Sequence, residues 1–249
     1  MDTVRFTCTS LTNTGKRGVL KPDAAGYYTM PIGGLNVLNS AGMYYTYQGA
    51  KALFEESSSF MRRVKRGALR GENGHPKMRP GESMDEYMVR AMNIDEKNIC
   101  VQFKEIFLDF DNYKGPDGKP IVAIIGVLTP SGPLGPMLQK SLDNPGENVC
   151  FSIRSFTDDY WVRGVKNRDI KTIVTFDYVN EPGIANAEKY KSMAIEEHYD
   201  RPVTRPQIER AFERQTVSLG MESVSISQEE LISSFGWKPK QDKPSYFNW

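Results

Sequence analysis

Ser152, His75 and Asp177 are the residues of this sequence whose types could together activate a nucleophile. A serine hydroxyl is a weak nucleophile at its own pKa. It needs a base within hydrogen-bond reach, commonly an imidazole, and the base needs a partner that orients it. Ser152 follows the apolar run Val149-Cys150-Phe151 in "ENVCFSIRSF", and a cation, Arg154, stands two residues on. Taken alone, such a serine reads as a small polar residue of a strand. Histidine is scarce, with only His75 and His198 in 249 residues, so any imidazole chemistry must use one of them. The same scarcity argues against a multi-histidine zinc site. His75 lies in "GENGHP", where Gly74 leaves room beside the ring and Pro76 restricts the backbone before it. The plain reading is a loop histidine without a role. Asp177 interrupts the apolar strand pattern "IVTFDYV". A buried carboxylate is costly unless paired, and the plain readings are a solvent-facing position or a turn partner. Alternation puts Ile173, Thr175 and Asp177 on one face and Val174, Phe176 and Tyr178 on the other. Spacing alone does not bring the three residues together.

The elements that would have to position them follow from composition and period. Residues 4–11 and 43–48 have strand composition, and apolar residues from Ala50 to Val64 fit one face of a helix over 49–64. The basic run Arg62, Arg63, Lys65, Arg66 suits that helix's C-terminal end. Residues 67–83 are Gly- and Pro-rich and read as loop, with a short helix over 83–92. Strands are expected over 98–110 and 121–129, a short helix over 133–142, then the strand of Ser152 and another over 169–179. Pro182 opens a helix to His198. Arg201-Pro202 and Arg205-Pro206 break the chain before two short helical patterns, the second with capping-box spacing at Ser227 and Glu230. Strands followed by helices without regular alternation give an α+β class. The Gly-Pro-Asp-Gly-Lys-Pro turn at 115–120 has neither the spacing nor the helix of a phosphate loop, and Asp109 and Asp111 lack the later ligands of a calcium loop.

The totals suit a soluble globular protein: 39% hydrophobic, 25% charged, net charge +1. That charge gives no bulk argument for nucleic acid or membrane. No apolar run approaches the ~20 residues that span a bilayer, and "MDTVRFTCTS" lacks a signal-peptide pattern, so a cytoplasmic location is expected. Cys8, Cys100 and Cys150 lie far apart among apolar neighbours and read as buried free thiols.

In their order and separation these segments resemble the prohead (capsid maturation) proteases of tailed bacteriophages, which share the herpesvirus assemblin fold. The family's histidine segment, of the form G-E-L-x-H-P, stands here as Gly71-Glu72-Asn73-Gly74-His75-Pro76. Its strand serine followed by Arg-Gly stands as Ser152-Ile153-Arg154-Ser155, and its strand aspartate with a nearby proline as Asp177 to Pro182. "NSAGMYY" and "GVLTPSGPLGPMLQKSL" match the intervening text, so the similarity runs over about 35–190. Asn73-Gly74 and Ser155 depart from the pattern, and the long step from His75 to Ser152 suggests an insertion around 78–120.

The resemblance implies an assemblin-like β-barrel of mainly antiparallel strands with flanking helices. Residues 1–198 would be the protease domain, and 199–249 a C-terminal helical segment and tail that self-cleavage could remove. Ser152 would be the nucleophile, His75 the general base and then acid, and Asp177 the orienting partner. Herpesvirus enzymes use a second histidine as third member; Asp177, nearer to Ser152, is preferred to His198. Arg154 would serve the oxyanion site through its backbone N–H, or order the loop. Glu72 would be a structural partner of the histidine loop. No metal and no cofactor is implied. The substrates would be phage scaffold and major capsid proteins, often cut after glutamate, in the host cytoplasm inside the prohead. A homodimer is compatible with the family; a membrane or a specific nucleic acid is not implied. The rival readings are a catalytically inactive capsid or scaffold component of the same fold, and a serine esterase, for which Ser152 lacks the G-x-S-x-G elbow.

Overall fold

The computed structural model describes residues 3–12, 20, 22–39, 42–115, 118–144, 146–179, 199–218 and 226–237. Two open sheets organise them. The strands are β1 (Thr3–Thr12), β2 (Tyr28–Leu35), β3 (Val37–Leu38) and β4 (Met43–Tyr45), then β5 (Arg70–Glu72), β6 (Ile99–Asp109) and β7 (Val122–Pro130). A long hairpin follows, β8 (Cys150–Val162) and β9 (Val165–Val179), and β10 (Tyr199–Thr204) comes last. The six-stranded sheet has the order β10-β1-β8-β9-β4-β3 and the four-stranded sheet the order β2-β7-β6-β5. Every pairing within the two sheets is antiparallel except β4 with β9. The α+β class holds. Among the described residues the strands form two facing sheets, and no ring of them closes on itself as the expected barrel would.

The main core fills the space between the sheets. Ile32, Phe103, Ile124 and Leu128 of one meet Phe151, Ile173, Phe176 and Tyr178 of the other. Phe103 touches Phe151 and Phe176 at ring-centroid distances of 5.7 and 6.0 Å. On its other face the large sheet is covered by α3 (Met84–Met92), α5 (Arg205–Ser218) and α6 (Gln228–Ser234). There Tyr87, Met88, Ile208, Phe212 and Leu231 bury Phe156 and Val174. Both faces of β9 are therefore dry, which explains its nearly unbroken apolar run.

A bulge corrects the alternation expected of that strand. Arg154 pairs with Thr175 but Ser155 with Ile173, so Val174 is the extra residue. Ile173 consequently joins Phe176 and Tyr178 in the main core, while Val174 turns to the helical side. The carbonyls of Ile173 and Val174 accept from the guanidinium of Arg63 at 2.5 and 2.8 Å.

The helix expected over 49–64 is broken in two. α1 (Tyr47–Ala50) runs into a 3-10 turn (Lys51–Phe54), and α2 (Ser59–Lys65) starts afresh. Ser58 is the cause: its hydroxyl accepts from the Met61 N–H as an N-cap and so starts a helix where the period suggested continuity. α3 begins with a full capping box between Ser83 and Glu86, and α4 (Gly135–Asp143) lies where expected. Pro202 does not break the chain. It sits in β10, at the outer edge of its sheet, where a missing N–H is tolerated. Pro206 occupies the first turn of α5, as a helix start allows. The helix expected from Pro182 to His198 lies outside the described residues. Cys100 and Cys150 are buried free thiols. No described helix is long and apolar enough to cross a membrane.

Candidate active site

Ser152 and Asp177 face each other across the hairpin, paired residue to residue in the β8–β9 register. Directly opposite residues project to the same face of a sheet, so this pairing alone brings hydroxyl and carboxylate together. His75 arrives from the other sheet. β5 runs against β9, and the chain after it is pinned there: Asn73 bridges to Tyr178, and the Gly74 N–H donates to the Tyr178 carbonyl at 2.6 Å. Gly74 makes the turn at φ +80°. Gly71 permits the approach, because a Cβ there would lie 2.1 Å from the Phe176 carbonyl oxygen, which is backbone and cannot step aside. Gly71→Ala is therefore expected to push β5 off β9 and lose the histidine's placement. Activity should fall at least 100-fold, and a histidine NMR spectrum should show His75 in a changed environment.

The result is a continuous hydrogen-bond chain. Ser152 Oγ lies 2.5 Å from His75 Nε2, and His75 Nδ1 lies 2.9 Å from Asp177 Oδ2. Asp177 is ionised, so Nδ1–H donates to it and Nε2 is left to accept from the serine hydroxyl. Burial works against the charge on Asp177, but the Arg154 guanidinium and His75 beside it hold its carboxyl below the usual range. Ser152 is 1% exposed, whereas the His75 side chain is 18% exposed and faces a cleft. That cleft, about 630 Å³, is lined by Lys77, Arg79, Arg90 and Lys97 along with Asp95 and Glu96.

Arg154 is fully buried behind the carboxylate. Its Nε and Nη2 form a two-pronged contact with Asp177 at 2.8 and 2.7 Å, and Nη2 also reaches Glu72 Oε1 at 3.0 Å. Nη1 donates to the carbonyls of Asn93 and Ala91, at the end of α3, at 2.9 and 3.4 Å. The structure thus turns this side chain toward Asp177. Sequence reasoning assigned Glu72 only to the histidine loop. Its backbone N–H donates to Asp177 Oδ1 at 3.1 Å, and its side chain accepts from the Asp95 N–H at 3.0 Å. The signal for Arg154 was present: residues two apart in a strand share a face, so a Ser-x-Arg pattern opposite an aspartate places the cation beside it. No such signal marks Glu72, whose contact depends on how the two sheets dock. Cys100 also borders the site, and burial, with Asp177 nearby, pushes its thiol up to about 12, so it stays protonated. His198, the other candidate third member, lies outside the described residues. Among the described residues no cluster of three or more His, Cys, Asp or Glu could hold a metal ion.

Known proteins resemble this chain. A family model described as the peptidase S80 family matches residues 6–232. The capsid maturation protease of Pseudomonas phage phiKZ is 39% identical over 238 residues, spanning 91% of this chain and 86% of that protein. A solved structure of the capsid assembly protease of bacteriophage T4 aligns with 72% of this chain and 99% of its own, with a TM-score of 0.49 and 12% identity. The family match contains all three residues of the hydrogen-bonded chain and runs through α5 into α6. By that match and by its phiKZ relative, the chain belongs to the peptidase S80 family.

Proposed function

We propose that the protein is a serine endopeptidase that cleaves scaffold and capsid proteins inside the immature head of a tailed phage, in the host cytoplasm. One observation carries the chemistry: the unbroken chain from Ser152 Oγ through both nitrogens of His75 to Asp177. In the first step His75 Nε2 takes the hydroxyl proton as Ser152 Oγ attacks the scissile carbonyl carbon. Collapse of the tetrahedral species expels the amine, which takes that proton from His75 and leaves an acyl-serine. Water, deprotonated by the same nitrogen, then releases the acid and restores the hydroxyl. Asp177 holds the tautomer and faces the imidazolium. Of the two roles open to Arg154, ordering is the one its contacts favour, because the guanidinium is committed to two carboxylates and two carbonyls.

The role inside a phage head rests on the family and on the phiKZ relative, a capsid maturation protease. Cutting after glutamate is consistent with the cations beside His75, Lys77, Arg79 and Lys97, which could meet an acidic side chain. A serine-reactive probe tests the reading. It should label Ser152, and labelling should vanish in Ser152→Ala; an inactive capsid component of the same fold would take no label. A peptide-versus-ester panel separates the protease from an esterase.

Self-cleavage within the C-terminal segment belongs to the same proposal. A cut before Tyr199 would remove β10 from β1 and uncover Phe156 and Val174. Glu213 lies within α5, and Glu229 and Glu230 within α6, whereas Glu222 lies between the two helices. Cutting there spares β10 and α5 but removes α6, whose Leu231 also covers Phe156 and Val174. Intact-mass measurement should therefore show wild type shortening to a chain ending at Glu222 while Ser152→Ala keeps its full mass. A wild type that has processed its scaffold yet retains Trp249 would show that the segment is a permanent part of the domain.

A further inference from the structure

Glu72 has no part in a three-residue scheme, yet it is buried and stands against Asp177, one of the three, and against the Arg154 beside it. It touches Asp177 through its backbone and Arg154 through its carboxylate. Arg154 has five N–H donors, and the contacts account for all five: Nε to Asp177, Nη2 to Asp177 and Glu72, and Nη1 to Ala91 and Asn93. The guanidinium is thus a fixed positive charge held against the orienting carboxylate. Asp177 and Arg154 alone form a pair of zero net charge. When His75 takes the serine proton, it would meet little net attraction from such a pair.

We propose that Glu72, acting through Arg154, is a positioning residue that leaves the site with one net negative charge to face the imidazolium of His75; this rests on the serine-protease reading. The count is two carboxylates against one guanidinium before proton transfer and a balanced set after it. In a water-poor site that balance matters more than it would in solvent. Arg154 has the converse task. It keeps Asp177 ionised and fixes the carboxylate plane, while Glu72 offsets the charge that Arg154 brings. Burial, together with repulsion from Asp177, raises the Glu72 pKa above the ordinary glutamate range, and Arg154 opposes that rise.

Among the described residues, the other groups lining the site do not supply this balance. Cys100 on β6 stays a neutral thiol. Arg90 on α3 donates to both carboxylate oxygens of Glu82 and to the Lys77 carbonyl. Lys77, Arg79, Asp95, Glu96 and Lys97 line the open cleft, where water screens them. The competing role for Glu72 is purely structural: its oxygen accepts the Asp95 N–H and its backbone N–H braces Asp177. Glutamine would preserve both of those bonds and remove only the charge.

The test compares Glu72→Gln and Glu72→Asp with wild type, with Ser152→Ala as the zero. kcat for Glu72→Gln should fall about tenfold, a part of the 10²–10⁴ that a general base contributes. The acid limb of kcat/KM should move to lower pH by about half a unit or more, because the imidazole loses a negative neighbour. Glu72→Asp should return the limb toward its wild-type position. A second measurement needs no turnover. In the Ser152→Ala background, with only two histidines in the chain, NMR titration should show His75 losing its proton at lower pH when Glu72 is also glutamine. An acid limb and a His75 titration both unmoved by Glu72→Gln would overturn the proposal, whatever happened to kcat. Residual cleavage by Ser152→Ala would instead overturn the serine-protease reading, and the two failures are distinct.

Discussion

Ser152→Ala is expected to abolish cleavage of scaffold and capsid proteins while leaving a folded chain. The hydroxyl is the only group removed, and its contact is the 2.5 Å bond to His75 Nε2. The ring keeps its bond to Asp177 and its edge toward the cleft, so the fold should lose about 1 kcal/mol, the net worth of one hydrogen bond. The chemistry loses its nucleophile. In other serine proteases removal of that residue costs about 10⁶ in kcat, and the same order is expected here. Gel analysis of scaffold incubated with purified protein reads the rate, and a melting curve reads the fold. Unchanged cleavage by a folded Ser152→Ala would end the assignment.

Asp177→Asn carries the second large effect, and here the structure changes what the sequence suggests. Read from the triad pattern alone, the substitution should hurt turnover far more than stability. The turnover loss stands, at about 10⁴, because an amide favours the wrong tautomer of His75. But Asp177 is also the main partner of a fully buried guanidinium. Removing one partner of a buried ion pair typically costs 3–5 kcal/mol, and Glu72, which stays beside Arg154, should keep the loss near the lower figure, about 3 kcal/mol. The pH dependence has a definite sign. The carboxyl is held below its ordinary value in the folded state, so its stabilisation is present above the unfolded pKa of about 3.9 and is lost as pH falls through the folded value. Wild type should lose stability on acidification below pH ~4, and Asp177→Asn should lose less over that window. Urea unfolding at several pH values measures both effects. His198→Ala should be nearly silent in turnover; a dead His198→Ala beside an active Asp177→Asn would reverse the choice of third residue.

Ser152, His75 and Asp177 each read plainly alone and were grouped by the resemblance; the register of one hairpin and the docking of β5 on β9 bring them within hydrogen-bond reach. Strands 98–110, 121–129 and the helix over 133–142 were legible because period and composition agree there, and the observed elements match. The failures have physical causes. The period over 49–64 is helical throughout, but Ser58 offers a cap, and a cap is a local event that a period averages away. The bulge at Val174 leaves no mark in composition, since both faces of β9 are apolar. Glu72 was seen but undervalued, because its neighbours come from β8, β9 and the turn at Asp95, which meet only through the docking of the two sheets. Arg154 was placed in the right neighbourhood by its strand position. Only the geometry shows its fork turned toward the aspartate.

Ser152 and Asp177 belong to one sheet, while His75, which links them, is carried in by the other. Neither half can hydrolyse anything. The three groups come within bonding distance only after the aromatic layer between the sheets has closed, so competence to cut is a late property of the chain, acquired together with its tertiary structure. On the proposed serine-peptidase reading, a copy whose two sheets have not closed lacks the linked trio and would not cut the polypeptides around it. For a hydrolase synthesised in the same compartment as the shell proteins assigned to it, this is a form of quality control that needs no inhibitor: the bond-breaking centre exists only in molecules that have finished folding.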